Sequence, residues 1–343
     1  MEKTKSNMHI GYEYALLHLC IECICFHTIY LCFTGQNGAV VYIFALIYDF
    51  LAFVPQFIFG GFLDKHTRFP WDYVGVACLA LAVLLINFTD QKWSVLILIT
   101  MGNAILHEVG AVVTTSVSGG KMSHSSIFVS GGSFGLIIGT HLGMDKVSIL
   151  FELICVAIIL AVVVKNQGLL RNPERCTPKY DLVMKPDKVN LIVLVALCVV
   201  AVRSYIGYAI PISWKKELWQ AYVLFFSMGF GKALGGIFID RFGARRVAVS
   251  STLLCIPFLL AGDNFMIISI VGVFLFSMTM SITLGMLLSV LPEQPGLAFG
   301  ITTVALFLGT LPVFLVHFSK LVNMVLVVVL SLGCAAVLRK TLK

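Results

Sequence analysis

Two residues have the strongest claim to chemistry: Glu22, near the middle of the apolar run 11–34, and Arg203, near the middle of the run 189–212. A charge at the centre of a bilayer costs roughly 2.5–3.5 kcal/mol on insertion scales, so an ionisable group there marks a pathway or a relay by default. At 1.5 Å per residue, both stand roughly 18–21 Å into their runs. His18 precedes Glu22 by four residues and shares its helical face, where carboxylate and imidazole can hand a proton between them. The guanidinium of Arg203 keeps its proton and needs a partner, either a carboxylate such as Glu22 or an anionic group of a substrate. His107 and Glu108 lie in the inner half of the run 93–117, about 100° apart on a helix, so only one can face a common chamber. Glu108 is expected to be the one that does. Asp49, Glu152 and Lys232 also fall within apolar runs, but packing, and snorkelling for Lys232, account for them outside the site.

The elements that position these groups follow from composition. Of 343 residues, 59% are apolar and 12% charged, against about 45–50% and 25% in soluble domains. With a mean hydropathy of +0.97, the chain is neither a soluble domain nor a nucleic-acid binder; it belongs in a lipid bilayer. Apolar runs lie at 11–34, 38–63, 71–89, 93–117, 125–143, 147–165, 189–212, 218–239, 246–262, 265–290, 296–316 and 321–338. Each is long enough for a spanning helix of roughly 20 residues, which predicts an all-α protein of twelve spans. Met1–Lys5 looks like the start of a signal peptide, but the apolar run after it is too long and no small-residue cleavage site follows.

Charge fixes the expected orientation. With both termini in the cytoplasm, 17 of the 24 Lys and Arg residues fall on the cytoplasmic side and 5 outside, with Arg203 and Lys232 inside spans. That is the positive-inside bias of a plasma-membrane protein, and it accounts for the net charge of +7 without an acidic partner. Nine of the ten cysteines lie in spans, where free thiols pack as small hydrophobes; Cys176 alone is in a loop. Cys20 and Cys23 beside His18 and His27 raise the idea of a soft-metal site, but Cys25 points to another face, and no metal is expected.

One long polar connection, 168–188, holds three prolines and separates six spans (1–167) from six (189–343). The halves share a motif: Gly60-Gly-Phe-Leu-Asp64-Lys65-His-Thr-Arg68 and Gly236-Ile-Phe-Ile-Asp240-Arg241-Phe-Gly243-Ala-Arg245-Arg246. Gly60 and Gly236, like Asp64 and Asp240, are offset by 176, and each copy closes the second span of its half. Internal repeats of this kind build many secondary transporters. An aspartate at a helix end can meet the N-terminus of a facing helix, a latch that forms in one conformation and breaks in another.

The doubled motif resembles the signature loop of the major facilitator superfamily, closely at 236–246 and with Thr67 in place of a glycine at 60–68. The runs Ala15–Glu22, Asp49–Gln56 and Arg203–Gly207 are similar to the fosmidomycin-resistance-like efflux branch, with Glu22 standing where that branch has Asp. The resemblance implies two six-helix bundles around a central chamber lined by the first, fourth, seventh and tenth spans. It thereby implies that Glu22, Glu108 or His107, and Arg203 surround that chamber, with Ser277, Thr279, Ser281 and Thr283 from the tenth. Gly131, Gly135 and Gly139 recur at four-residue spacing in the fifth span, as close helix crossings require, without the proline of the antiporter signature.

No Walker loop, hydrolase elbow or zinc helix motif occurs, so no enzyme activity and no cofactor are expected. The expected function is secondary transport of a small solute by alternating access, with proton-coupled export favoured and protons as the coupling ion. Metabolite uptake or facilitated diffusion, and a non-transporting membrane sensor or scaffold, are the alternatives. A monomer in the bilayer with a small-molecule substrate and no nucleic acid completes the expectation.

Overall fold

The computed structural model describes residues 8–33, 38–88, 91–172 and 178–343. Lys3, Lys5, Arg175 and Cys176, used in the sequence reading, lie outside them. The described helices are α1 (Met8–Phe33), α2 (Gly38–Lys65), α3 (Trp71–Phe88), α4 (Lys92–Ser116), α5 (Ser123–Met144), α6 (Leu150–Leu170), α7 (Val189–Ala209), α8 (Leu218–Phe242), α9 (Ala244–Ala261), α10 (Met266–Ser277), α11 (Ile282–Val290), α12 (Pro295–Leu315) and α13 (Lys320–Thr341). Eleven stretches are long and apolar enough to cross a bilayer, α10 and α11 counting as the single stretch Met266–Val290; the shorter apolar helix Trp71–Ile86 makes the twelfth crossing. The chain is a multi-pass membrane protein.

The surface is apolar. Leu194, Leu254, Ile267, Leu321 and Val329 are all exposed, as in helices that are apolar all round because their solvent is lipid. Interior crossings are close because glycines remove side chains where backbones meet. Along α5, Gly131, Gly135 and Gly139 face the backbone of Ala15, Leu19 and Cys23 on α1, so that an added Cβ would collide with α1. Helices α1–α6 form one bundle and α7–α13 the other, joined where α2 crosses α12 and α5 crosses α8.

The two copies of the repeated motif end differently. Gly243 takes φ = 90° and lets α9 start immediately after α8, which a side chain would resist. After α2, five residues intervene before Trp71, and no such turn is needed at Thr67. This is the physical reason the first copy dispenses with glycine.

The linker is more than a tether. Tyr180 and Val183 are buried, the Tyr180 hydroxyl lies 2.7 Å from Ser118 Oγ, and the Leu182 amide donates to Ser289 Oγ. Lys343 pairs with Asp181 and donates its backbone N–H to Leu182, while Lys165 at the end of α6 pairs with Glu13 near the start of α1. The start of α1 and the end of α13 therefore lie at the same end of the described structure, called here the linker end.

Candidate functional site

The glycine stripe of α5 brings α1 close enough for His18 and Glu22 to reach α4. Gly132 leaves room for the His18 ring, and a Cβ at Gly135 would crowd Glu22. His18 Nε2 lies 2.6 Å from His107 Nε2, and Glu22 Oε1 lies 3.8 Å from the first and 3.4 Å from the second. His18 Nδ1 is 3.0 Å from the Phe128 carbonyl oxygen, and His107 Nδ1 is 2.9 Å from that of Asn103. Asn103 donates to Glu22 Oε1 at 3.2 Å and lies beside Tyr48 and Cys25.

A carbonyl oxygen only accepts, so both Nδ1 atoms must carry hydrogen. If both imidazoles are neutral, the two Nε2 atoms are then bare lone pairs facing each other at 2.6 Å. One further proton, placed between them, satisfies all four nitrogens, and Glu22 supplies the counter-charge. The arrangement is built for one proton more than two neutral histidines hold.

A metal fits less well. His18, Glu22 and His107 each offer one ligand atom, all within 4.8 Å of one another. Two nitrogens at about 2.0–2.1 Å from one tetrahedral ion stand roughly 3.3 Å apart, wider than the 2.6 Å found. The spacing is that of a hydrogen bond.

The other expected residues are placed as follows. Glu108 does not face the cluster: it is fully buried where α2 crosses α12, beside Gly60, and neither carboxyl oxygen has a hydrogen-bond partner. Of the neighbours on α4 it is His107 that joins Glu22, the reverse of the expected assignment. Arg203 is buried, and its Nη2 donates to the Phe276 carbonyl at 2.5 Å while the guanidinium lies 4.4 Å over the Phe276 ring. It makes no ion pair with Glu22. That carbonyl is available because the tenth span breaks between α10 and α11, where Thr279 Oγ1 also turns back to it.

Lys232, expected to snorkel away, instead lies near enough that its charge acts on Glu22, His18 and His107. Asp49 acts on Glu22 from α2. Glu152, expected to be mere packing, accepts from His27 Nδ1 and Thr28 Oγ1, both at 2.8 Å, a buried tie between α1 and α6. A cavity of 320 Å³ lined by Ala201, Tyr205, Leu308, Pro312 and Phe318 has no charged side chain in its lining.

At the linker end, the aspartates of the repeated motif each close on the opposite bundle. Asp64 accepts from the backbone N–H of Gly296 (3.0 Å) and Leu297 (2.8 Å) at the start of α12. Asp240 accepts from Met122 (2.7 Å) and Ser123 (3.0 Å) at the start of α5. Gly60 meets Gly296 backbone to backbone, and Gly236 meets Ser126, which donates to Ser281 at 2.5 Å. Arg68, Arg241 and Arg245 lie exposed at this rim.

Among known proteins, no family model and no curated sequence matches this chain. Solved structures do. The chain is similar to FucP, a major facilitator superfamily transporter in the outward conformation, at 16% identity and a TM-score of 0.64, covering 98% of both chains. It is also similar to the human organic anion transporter MFSD10, at 14% identity and a TM-score of 0.65, covering 97% of this chain and 100% of that one. Its architecture of twelve crossings in two bundles is the major facilitator fold.

Proposed function

We propose that the protein is a proton-coupled secondary transporter that carries a small solute by alternating access between its two bundles. The observation that carries this reading is the His18–His107–Glu22 cluster, whose donors and acceptors balance only with one added proton. Charged and titratable groups act on its Glu22 from neighbouring positions: Tyr48 and Cys25 beside Asn103, Asp49 from α2 and Lys232 from α8. Moving a proton on or off therefore changes the balance of charge between the bundles, and a ligand that binds two states unequally shifts their equilibrium.

Asp64 and Asp240 act as latches that hold the linker end shut while the cluster loads from the other side. Each is charge-assisted and sits at the positive end of a helix, so each favours the closed state without fixing it. The bias of Lys and Arg supports a cytoplasmic linker end in a plasma-membrane protein. One chain holds the whole cluster and both latches, which supports a monomer as the working unit. The domains are 1–167 and 189–343, rocking about the linker.

The test is proton movement. Purified protein is reconstituted into liposomes loaded with a pH-sensitive dye, and a panel of carboxylates, amines, sugars and their neutral analogues is added outside. At least one solute is expected to move protons with the wild-type protein and not with Glu22→Gln or His107→Gln. Solute flux without proton flux, or undiminished proton flux in both variants, would overturn the reading.

A further inference from the structure

We infer that Lys232 and Arg203 form an anion-binding site, so that the transported solute carries a carboxylate or phosphate group; this deepens the transport reading above and rests on it. The direction of Lys232 follows from the packing of α8. Gly229 and Gly236 face α5, against Phe134 and Ser126, while Gly231 and Gly235 face the tenth span, against Phe274 and Met278. At 100° per residue, Lys232 falls between these two stripes, and Phe230, nearly opposite, is exposed to the outside. Lys232 therefore points into the interior between α5 and the tenth span. It makes no hydrogen bond and no ion pair among the described residues.

Arg203 approaches the same place from α7. Its one hydrogen bond runs to the Phe276 carbonyl, in the segment of the tenth span that Gly231 packs against. A guanidinium has five N–H donors, and a neutral carbonyl does not cancel its charge. Lys232 and Arg203 are close enough to repel each other. Two cations in the interior, with no carboxylate bound to either among the described residues, make a receptor for an anion.

The titratable groups that Lys232 acts on are Glu22 and His18 from α1 and His107 from α4. Glu22 attracts Lys232. When the histidine pair takes its proton, the imidazolium offsets the charge of Glu22, and that of Lys232 is left for the anion. Proton and anion then bind together and cross as a neutral pair. Under an inward proton gradient this pairing accumulates the solute.

The experiment is a thermal unfolding titration of the purified full chain with benzoate, succinate and inorganic phosphate, against benzamide, succinamide and tetraethylammonium. At least one anion is expected to raise the midpoint saturably while its neutral amide and the cation do not. Lys232→Met should weaken that anion by roughly tenfold to a hundredfold, the range for losing a charged hydrogen-bond partner, and Lys232→Arg should restore it. Removal of an unpaired interior ammonium leaves the Lys232→Met protein at least as stable without ligand, so loss of binding is separable from loss of folding. No shift with any of the anions, equal shifts with the amides, or unchanged anion affinity in Lys232→Met would overturn the site. If the anion binds but no proton moves in the dye-loaded liposomes, proton coupling falls and the anion site stands. If a neutral solute drives proton movement, coupling stands and the anion site falls.

Discussion

Removing the carboxylate of Asp64 tests whether the linker end is held by latches or merely capped. Asp64 accepts two backbone N–H groups at the start of α12, at 3.0 and 2.8 Å. Losing an N-terminal capping side chain costs about 0.5–2 kcal/mol, and losing a negative charge at a helix N-terminus costs a further 0.3–1 kcal/mol or so. Asp64→Ala should therefore destabilise the closed end by roughly 1–3 kcal/mol, a factor of about 5 to 150 in the open population. Asp64→Asn keeps an acceptor and loses only the charge, so its effect should be roughly 2- to 5-fold.

Amide hydrogen exchange in lipid nanodiscs reads this directly, because slow amides at Gly296 and Leu297 exchange in proportion to opening. The informative residues are the remote ones. If both aspartates seal one gate, Asp64→Ala must also speed exchange at Met122 and Ser123, which Asp240 holds on the other side of the bundle. Acceleration confined to α12 would reduce Asp64 to a local cap, and unchanged exchange everywhere would refute the reasoning.

Other consequences are as specific. A Cβ at Gly131 would collide with the Ala15 carbonyl; overpacking of this kind costs about 1–3 kcal/mol, so Gly131→Ala should lower the unfolding midpoint, whereas Gly333→Ala, with nothing within 4 Å, should not. In the loop after α9, hydrogen bonds from Lys320 and then Ser213 hold the Asp263 carboxyl below its ordinary range. A carboxylate whose folded value is depressed stabilises the fold above its unfolded value, and that contribution is lost as pH falls below about 4. The protection factor of the Ser213 amide, its exchange rate relative to the unstructured rate at the same pH, should fall there, and a constant protection factor would contradict the pairing. Cysteines introduced at Thr67 and Lys185 should resist membrane-impermeant labels in intact cells; labelling of either from outside would invert the assigned orientation.

Most of the fold was legible because membrane helices announce themselves by length and apolar content. The eleven stretches long and apolar enough to cross a bilayer, and the shorter apolar helix Trp71–Ile86, coincide with the runs read from hydropathy. Aspartates meeting facing helix N-termini were also legible, since the motif recurs at matched positions and only a helix end offers unpaired N–H groups there.

The site was legible in part. His18 and Glu22 share a face by simple periodicity, but which of His107 and Glu108 meets them depends on the rotation of α4, and two adjacent residues give no phase. Asn103, one turn before His107, carried a usable signal: a polar amide on the same face of a membrane helix. The break in the tenth span has no proline or glycine to mark it, only alternating Ser and Thr that compete for backbone groups. Lys232 was assigned to snorkelling because its distance along α8 permits it; only the flanking glycine stripes reveal that it points inward.

The central claim is that His18 and His107 share one proton beside Glu22, and nitrogen-15 spectra of the imidazoles in lipid test it most directly. With signals assigned by subtraction in His18→Gln and His107→Gln proteins, both Nδ1 atoms should be protonated at neutral pH. The two Nε2 atoms should be coupled across a shared proton that disappears as pH is raised. Protonated Nε2 atoms with bare Nδ1 atoms, or two independent neutral rings across the whole pH range, would contradict the account.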